Sequence, residues 1–213
     1  MTSTQGTTAV ARPAELGIGA RFSIHPHTDD FADVILGALD DVARAGLTDG
    51  LVLDTDVVST YVGAREAPAE ERLVRYLAGV LAAASRRSGG GHVVAHVLLS
   101  RGCPGERTCD LGASALPVAE PVTVEPTGIA AVAQWSLYPL LDGGEGDHMA
   151  VIEEAIATAQ RRGTAGDAAH YATPLSGDVA EVLATAADAW AQVGTVVPHV
   201  TTHLTVSVGS PGA

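Results

Sequence analysis

Six of the eight histidines lie in short runs that mix apolar residues with hydroxyls rather than charges. His25 and His27 flank Pro26, His92 and His96 bracket Val93-Val94-Ala95, and His199 and His203 bracket Val200-Thr201-Thr202. Imidazoles so placed can act as general bases, ligate a transition metal, or hydrogen-bond a polar ligand. Spacing weighs against the metal. Side chains four apart on a strand are separated by roughly 13 Å, too far for His92 and His96 to share one ion unaided. His25, His27, His92 and His96 could converge only from adjacent strands, and the second half carries Tyr138 and Leu140 where the first has His25 and His27. No metal site is expected. There is no Gly-x-Ser-x-Gly elbow, His-Glu-x-x-His or Walker A loop, so no nucleophile or phosphate cradle is expected either. Gly143-Gly144-Glu145-Gly146 departs from phosphate-loop spacing and reads as an insertion loop, and Asp29-Asp30 reads as a helix-start pair. No catalytic residue is assigned; His25 is the candidate base if the chain were an enzyme.

The histidine pattern is itself repeated. The run from His92 to His96 matches that from His199 to His203 at an offset of 107, and Gly102-Cys103-Pro104-Gly105 matches Gly209-Ser210-Pro211-Gly212 at the same offset. Upstream, Phe22-Ser23-Ile24-His25-Pro26 pairs with Trp135-Ser136-Leu137-Tyr138-Pro139 at 113, as does Thr60 with Thr173. Val34-Ile35 pairs with Val151-Ile152, and Gly46 with Gly163, at 117. The offset steps only where loops tolerate insertion. The expected organisation is a tandem duplication, with repeats at 18–105 and 128–212 joined by a linker over 106–127.

The elements that must position these residues follow from periodicity. Residues 21–25 alternate as a half-buried strand and stop at Pro26. Phe31, Val34, Ile35, Leu39 and Val42 follow at helical spacing, with Gly46 as a stop. Strands are expected at 51–53 and 57–62, a helix over 67–87 and a strand at 92–99. The second half reads as strand 132–138, helix 147–162, a strand region at 168–175, helix 178–193 and strand 199–208. The order β-α-β-β-α-β is the ferredoxin-like motif. The fold class is therefore α+β: tandem ferredoxin-like domains with antiparallel sheets and helices on one face. Residues 1–17 are small and polar, and poor order is expected there.

Composition bounds the rest. The chain has 213 residues, 46% hydrophobic but only 4% aromatic, so its cores should be built from small aliphatic side chains. A net charge of −13 argues against nucleic acid and anionic membrane surfaces and suits a cationic ligand. No apolar run reaches transmembrane length and no signal peptide is visible, so a cytoplasmic location is expected. Two cysteines, Cys103 and Cys109, are too few for a disulfide framework and are expected as free thiols.

Strand alternation places Arg21, Ser23, His25, Gln134, Ser136, Tyr138, His199, Thr201, His203, Thr205 and Ser207 on the sheet face away from the helices, with His92, His96 and Ser100. That face is either solvated or walls a polar cavity. Histidines favour the cavity, because solvated faces more often carry Lys and Glu.

On these residues the sequence resembles the YkoF family of thiamin/hydroxymethylpyrimidine-binding proteins. The matching stretches are Ala20-Arg21-Phe22-Ser23-Ile24 through Pro26, Asp29-Asp30-Phe31, Thr55-Asp56 with Ser59-Thr60, and Gly102-Cys103-Pro104-Gly105. In the second half they are Ser136-Leu137-Tyr138-Pro139, the helix from Met149 to Ala159, Arg162-Gly163-Thr164 and His170-Tyr171-Ala172. The resemblance implies a homodimer and one pyrimidine pocket per repeat: Ser23, Ile24, His25 and Thr60 in the first, Ser136, Leu137, Tyr138 and Thr173 in the second. It implies no cofactor, thiamin or hydroxymethylpyrimidine as ligand, no catalysis, and a role in uptake or salvage with transporter components as partners. The family's Tyr-Pro-Met pattern stands here as His25-Pro26-His27, a titratable substitute for a stacking ring. Two other classes share such a fold: dimeric enzymes of the monooxygenase or cyclase type, with His25 as base, and ACT-like regulatory modules.

Overall fold

The structure is a computed structural model that describes residues 12–102, 120–140, 148–167 and 169–211. In chain order the elements are β1 (Gly19–Pro26), α1 (Phe31–Arg44), β2 (Leu51–Thr55), β3 (Thr60–Ala64), α2 (Ala69–Arg87), β4 (Val93–Arg101), β5 (Ala130–Leu140), α3 (His148–Arg161), β6 (Thr173–Asp178), α4 (Val179–Val193) and β7 (His199–Val208). The protein is α+β. All seven strands form one antiparallel sheet in the order β2-β3-β1-β4-β7-β5-β6.

The first half follows the expected β-α-β-β-α-β order. The second half departs from it: no regular strand lies between α3 and β6 among the described residues. Residues 164–166 run beside β6 instead, with Ser176 N–H donating to the Thr164 carbonyl (2.9 Å) and Gly166 N–H to the Pro174 carbonyl (3.0 Å). Ala165-Gly166-Asp167 carries no β-branched or aromatic side chain to sustain a strand. The first hairpin also differs from expectation. The Asp56 carboxylate accepts from Val58 N–H (2.7 Å) and Ser59 N–H (2.9 Å), an Asx-type turn. Val57 and Val58 are therefore exposed turn residues rather than strand, despite their β-branched side chains.

Helix packing follows the apolar stripes. In α1, Val34, Ala38 and Val42 are buried, whereas Phe31, expected in the stripe, stays 55% exposed at the helix's first position. Asp30 holds the N-cap position without a side-chain cap bond, so it favours the helix through charge alone. The C-terminus closes as a Schellman motif. Gly46 N–H donates to the Ala43 carbonyl and Leu47 N–H to the Val42 carbonyl, both at 3.0 Å, with Gly46 at φ +71°. α2 buries Leu73, Leu77, Val80, Leu81 and Ala84, and α4 is buried nearly all round. Both pack on the sheet face lined by Phe22, Val97, Leu204 and Trp135, which lie side by side across four strands. That row continues outward to Thr60 on one side and Thr173 on the other.

Part of the segment expected to be poorly ordered is fixed. Leu16 and Ile18 are buried, and Gly102 N–H donates to the Leu16 carbonyl. Two apolar side chains among small polar ones suffice to dock residues 12–18; residues 1–11 lie outside the described residues, as do Cys103, Cys109 and the linker up to residue 119. The linker's described end packs down through Val122, whose N–H donates to Asp188 Oδ1 (3.4 Å).

Asp178 joins the second half together. It caps α4 by accepting from Ala180 N–H (2.8 Å) and holds the approach to β5 by accepting from Thr127 N–H (3.0 Å) and Gly128 N–H (2.7 Å). Asp178→Ala removes the cap and leaves these donors unpaired. It is expected to cost about 1–2 kcal/mol in urea unfolding. A loss below about 0.5 kcal/mol would contradict the assigned role, since that is the range of neutral surface changes.

Candidate ligand cleft at the free edge of β5

The two faces of the sheet differ chemically. Opposite the helices, β1, β4, β5 and β7 expose Arg21, Ser23, His25, His96, Leu98, Ser100, Thr201, His203, Thr205, Ser207, Val132, Gln134, Ser136 and Tyr138, the face expected from strand alternation. The histidines meet there. The His25 and His96 rings are 5.6 Å apart edge to face, and His96 and His203 stack at 6.1 Å. His27 Nδ1 and His92 Nδ1 share a hydrogen bond of 3.0 Å, and His92 Nε2 shares one with Ser207 Oγ (2.9 Å). Ser23 Oγ and His25 Nε2 share a third (3.0 Å), and His96 Nδ1 and Thr205 Oγ1 a fourth (3.3 Å). Among the described residues, no three His, Cys, Asp or Glu side chains converge as metal ligands. Arg21 bonds Asp56 (2.8 Å) and Ser59, and with the Val58 and Ser59 N–H groups it pulls the Asp56 carboxyl down to about 2.

The expected site residues gather around two strand edges. β5 has eleven residues, but β6 pairs with it only from Ala130 to Trp135. From residue 136 to 140 no strand pairs with β5 on that side among the described residues. β1 repeats the arrangement: β3 pairs with it only from Gly19 to Phe22, leaving residues 23–26 without a strand on that side among the described residues. The last pairs are Trp135 with Thr173 and Phe22 with Thr60.

Beside the free edge of β5 lies a cleft of about 280 Å³ lined by Ser136, Leu137, Tyr138 and Thr173 together with Trp135, Ile152, Ile156 and Tyr171. The structure thus brings all four residues expected for the second site into one cavity. Ser136 and Tyr138 approach from the open face, and Leu137 and the buried Thr173 from the helix face. The volume is close to the lower bound for small-molecule sites, about 300 Å³. Larger grooves exist, one of about 550 Å³ between α3 and α4 and one of about 450 Å³ at the start of β5. The smaller cleft is the better candidate because strand-edge residues, two hydroxyl-bearing residues and two tyrosines line it.

Ser23, Ile24, His25 and Thr60 hold the corresponding positions in the first half. Ile24 and Thr60 are buried on the helix face, and Thr60 Oγ1 shares a hydrogen bond with Thr55 Oγ1 (3.0 Å). Ser23 and His25 sit on the open face and bond each other. Ser136, by contrast, donates across the cleft mouth to the Tyr171 carbonyl (3.1 Å). Ile152, Ile156 and Tyr171 were outside the expected site. The Val151-Ile152 repeat match indicated a helix face without indicating that it walls a cavity.

A seven-stranded antiparallel sheet with four helices defines an α+β protein, here with a polar-rimmed cleft at one strand edge. Residues 130–213 match the family model described as YKOF-related Family. The chain is 32% identical over 196 residues to the protein named "Putative HMP/thiamine-binding protein YkoF" of Bacillus subtilis (strain 168), spanning 91% of this chain and 90% of that one. The chain belongs to the YKOF-related family. No described helix is long and apolar enough to cross a membrane.

His203 makes this arrangement pH-sensitive. Burial first, and the neighbouring His96 second, hold its pKa below the ordinary value. The unfolded chain therefore binds the proton more tightly, so stability is full above about pH 6.5 and falls as pH drops through 6.5 toward the lowered value. Melting temperature should be lower at pH 5.5 than at 7.5, and His203→Gln should flatten that difference. An unchanged slope in the variant would exclude His203 as its source.

Proposed function

We propose that the chain binds thiamin or its hydroxymethylpyrimidine part without transforming it, in one cleft per half. The observation that carries this reading is the cleft at the free edge of β5, in a chain related over 91% of its length to a protein named for binding these compounds. An aminopyrimidine presents an exocyclic donor and ring acceptors, which suit unpaired strand backbone and the Ser136 and Thr173 hydroxyls. Leu137, Ile152 and Ile156 offer apolar walls to its faces. The thiazolium of thiamin is cationic, and a chain of net charge −13 attracts it.

The two halves are read as a duplicated unit. The matched offsets, and the symmetric row from Thr60 through Phe22, Val97, Leu204 and Trp135 to Thr173, support two related clefts. The open face is read as the contact surface of a homodimer. Along β1, β4, β5 and β7 its one fixed charge is Arg21, itself paired with Asp56. A neutral face on an acidic chain is where two copies repel least. From strand dimensions these four strands cover on the order of 600 Å², somewhat less than the about 800 Å² per partner of a typical stable interface. Such a dimer would serve uptake or salvage of thiamin or its precursor in the cytoplasm, delivering to or receiving from transporter components.

Calorimetric titration with thiamin and with hydroxymethylpyrimidine tests the reading. Saturation near two ligands per chain is expected, with stabilisation of about 2.7 kcal/mol per site at a hundredfold excess over Kd. Thr60→Val and Thr173→Val should each weaken one binding event. Loss of both events in either variant would contradict separate clefts; no heat and no thermal shift with either compound would contradict the function.

A further inference from the structure

We infer that Tyr171 is a ligand-contacting residue that closes the β5 cleft over the outer, cationic end of its occupant and so favours thiamin over the free pyrimidine. This rests on the binding reading above. Residues 169–172 form a tight turn in which Ala169 N–H donates to the Ala172 carbonyl (3.0 Å) and Ala172 N–H to the Ala169 carbonyl (3.4 Å). Tyr171 is its third residue and has φ +63°, alone among the described non-glycine residues in having positive φ. Positive φ at that position is the signature of a type II turn, which normally takes Gly or Asn there. A bulky side chain at positive φ is strained, and such strain persists at sites where it serves function.

The side chain is not buried in return. Tyr171 is 100% exposed, although it lines the cleft. Its carbonyl accepts the Ser136 hydroxyl, which ties the turn to the strand that forms the site. The corresponding turn of the first half is closed without positive φ. There Asp56 N–H donates to the Ser59 carbonyl (3.0 Å), and Val58 stands at the third position without positive φ. The Asp56 side chain fixes that turn from within, whereas Ala169 has no group to do so.

Ligand chemistry indicates which end the ring meets. The aminopyrimidine has the donors and acceptors that match the strand edge and hydroxyls, so it occupies the inner cleft. The thiazolium is left at the mouth, where the face of a phenol attracts a cation. Hydroxymethylpyrimidine lacks that ring and gains less from Tyr171.

Three variants, Tyr171→Phe, Tyr171→Leu and Tyr171→Gly, titrated with both compounds and melted without ligand, test the inference. Phe should bind thiamin within about threefold of the natural protein. Leu and Gly should weaken one thiamin-binding event by about 5- to 30-fold, and hydroxymethylpyrimidine by less. Without ligand, Tyr171→Gly should melt higher than the natural protein, because glycine accepts positive φ freely. Binding by Leu and Gly within twofold of the natural protein, or a lower ligand-free melting temperature for Gly, would overturn the role of Tyr171 and leave the binding function standing. If the natural protein binds neither compound, the function falls and the inference falls with it.

Discussion

Each candidate site in this protein depends on a mismatch of strand length. β5 and β1 continue past the ends of β6 and β3, so the last stretch of each long strand lacks a strand partner on one side among the described residues. Unpaired strand backbone is costly when buried and prone to association when exposed. In the second half a turn and a helix are brought against the gap without filling it, and a cleft of about 280 Å³ is left. A planar ligand with donors and acceptors along one edge can pair there as a short strand would.

The frame that holds these edges is close to symmetric, while its decoration is not. β4 and β7 pair along nine residues at the centre of the sheet, and the rows on either side mirror each other. Yet Ser23 bonds His25 on the open face, while the matching Ser136 reaches Tyr171 at the cleft mouth. Asp56 locks one turn with its carboxylate, and the other turn holds a strained, exposed tyrosine. The two halves of the sheet thus present different chemical surfaces at their strand edges.

Much of this was legible in the residues. The expected strand 199–208 is β7, and alternation assigned the open face correctly because each strand buries one face under small aliphatic side chains. The matched offsets brought Thr60 and Thr173 to equivalent register positions, since insertions fall in loops and leave strand pairing intact. What could not be read has physical causes. Val57 and Val58 have strand propensity, and only a side chain-to-backbone bond from Asp56 makes them a turn. The missing strand before β6 depends on a short Ala-Gly stretch held by neighbouring backbone. Tyr171 carries no sequence signal of positive φ, because the turn that imposes it is set by bonds at Ala169, Ala172 and Ser136.

Ligand is proposed to bind at the free strand edges and not around His96 and His203 in the middle of the open face. Titrating thiamin into ¹⁵N-labelled protein and following backbone amides tests it directly. The largest changes should fall at Ser136, Leu137, Tyr138, Tyr171 and Thr173, with a second set at Ser23, Ile24, His25 and Thr60. Changes confined to His96, His203 and Thr205, or none at saturating thiamin, would contradict the account.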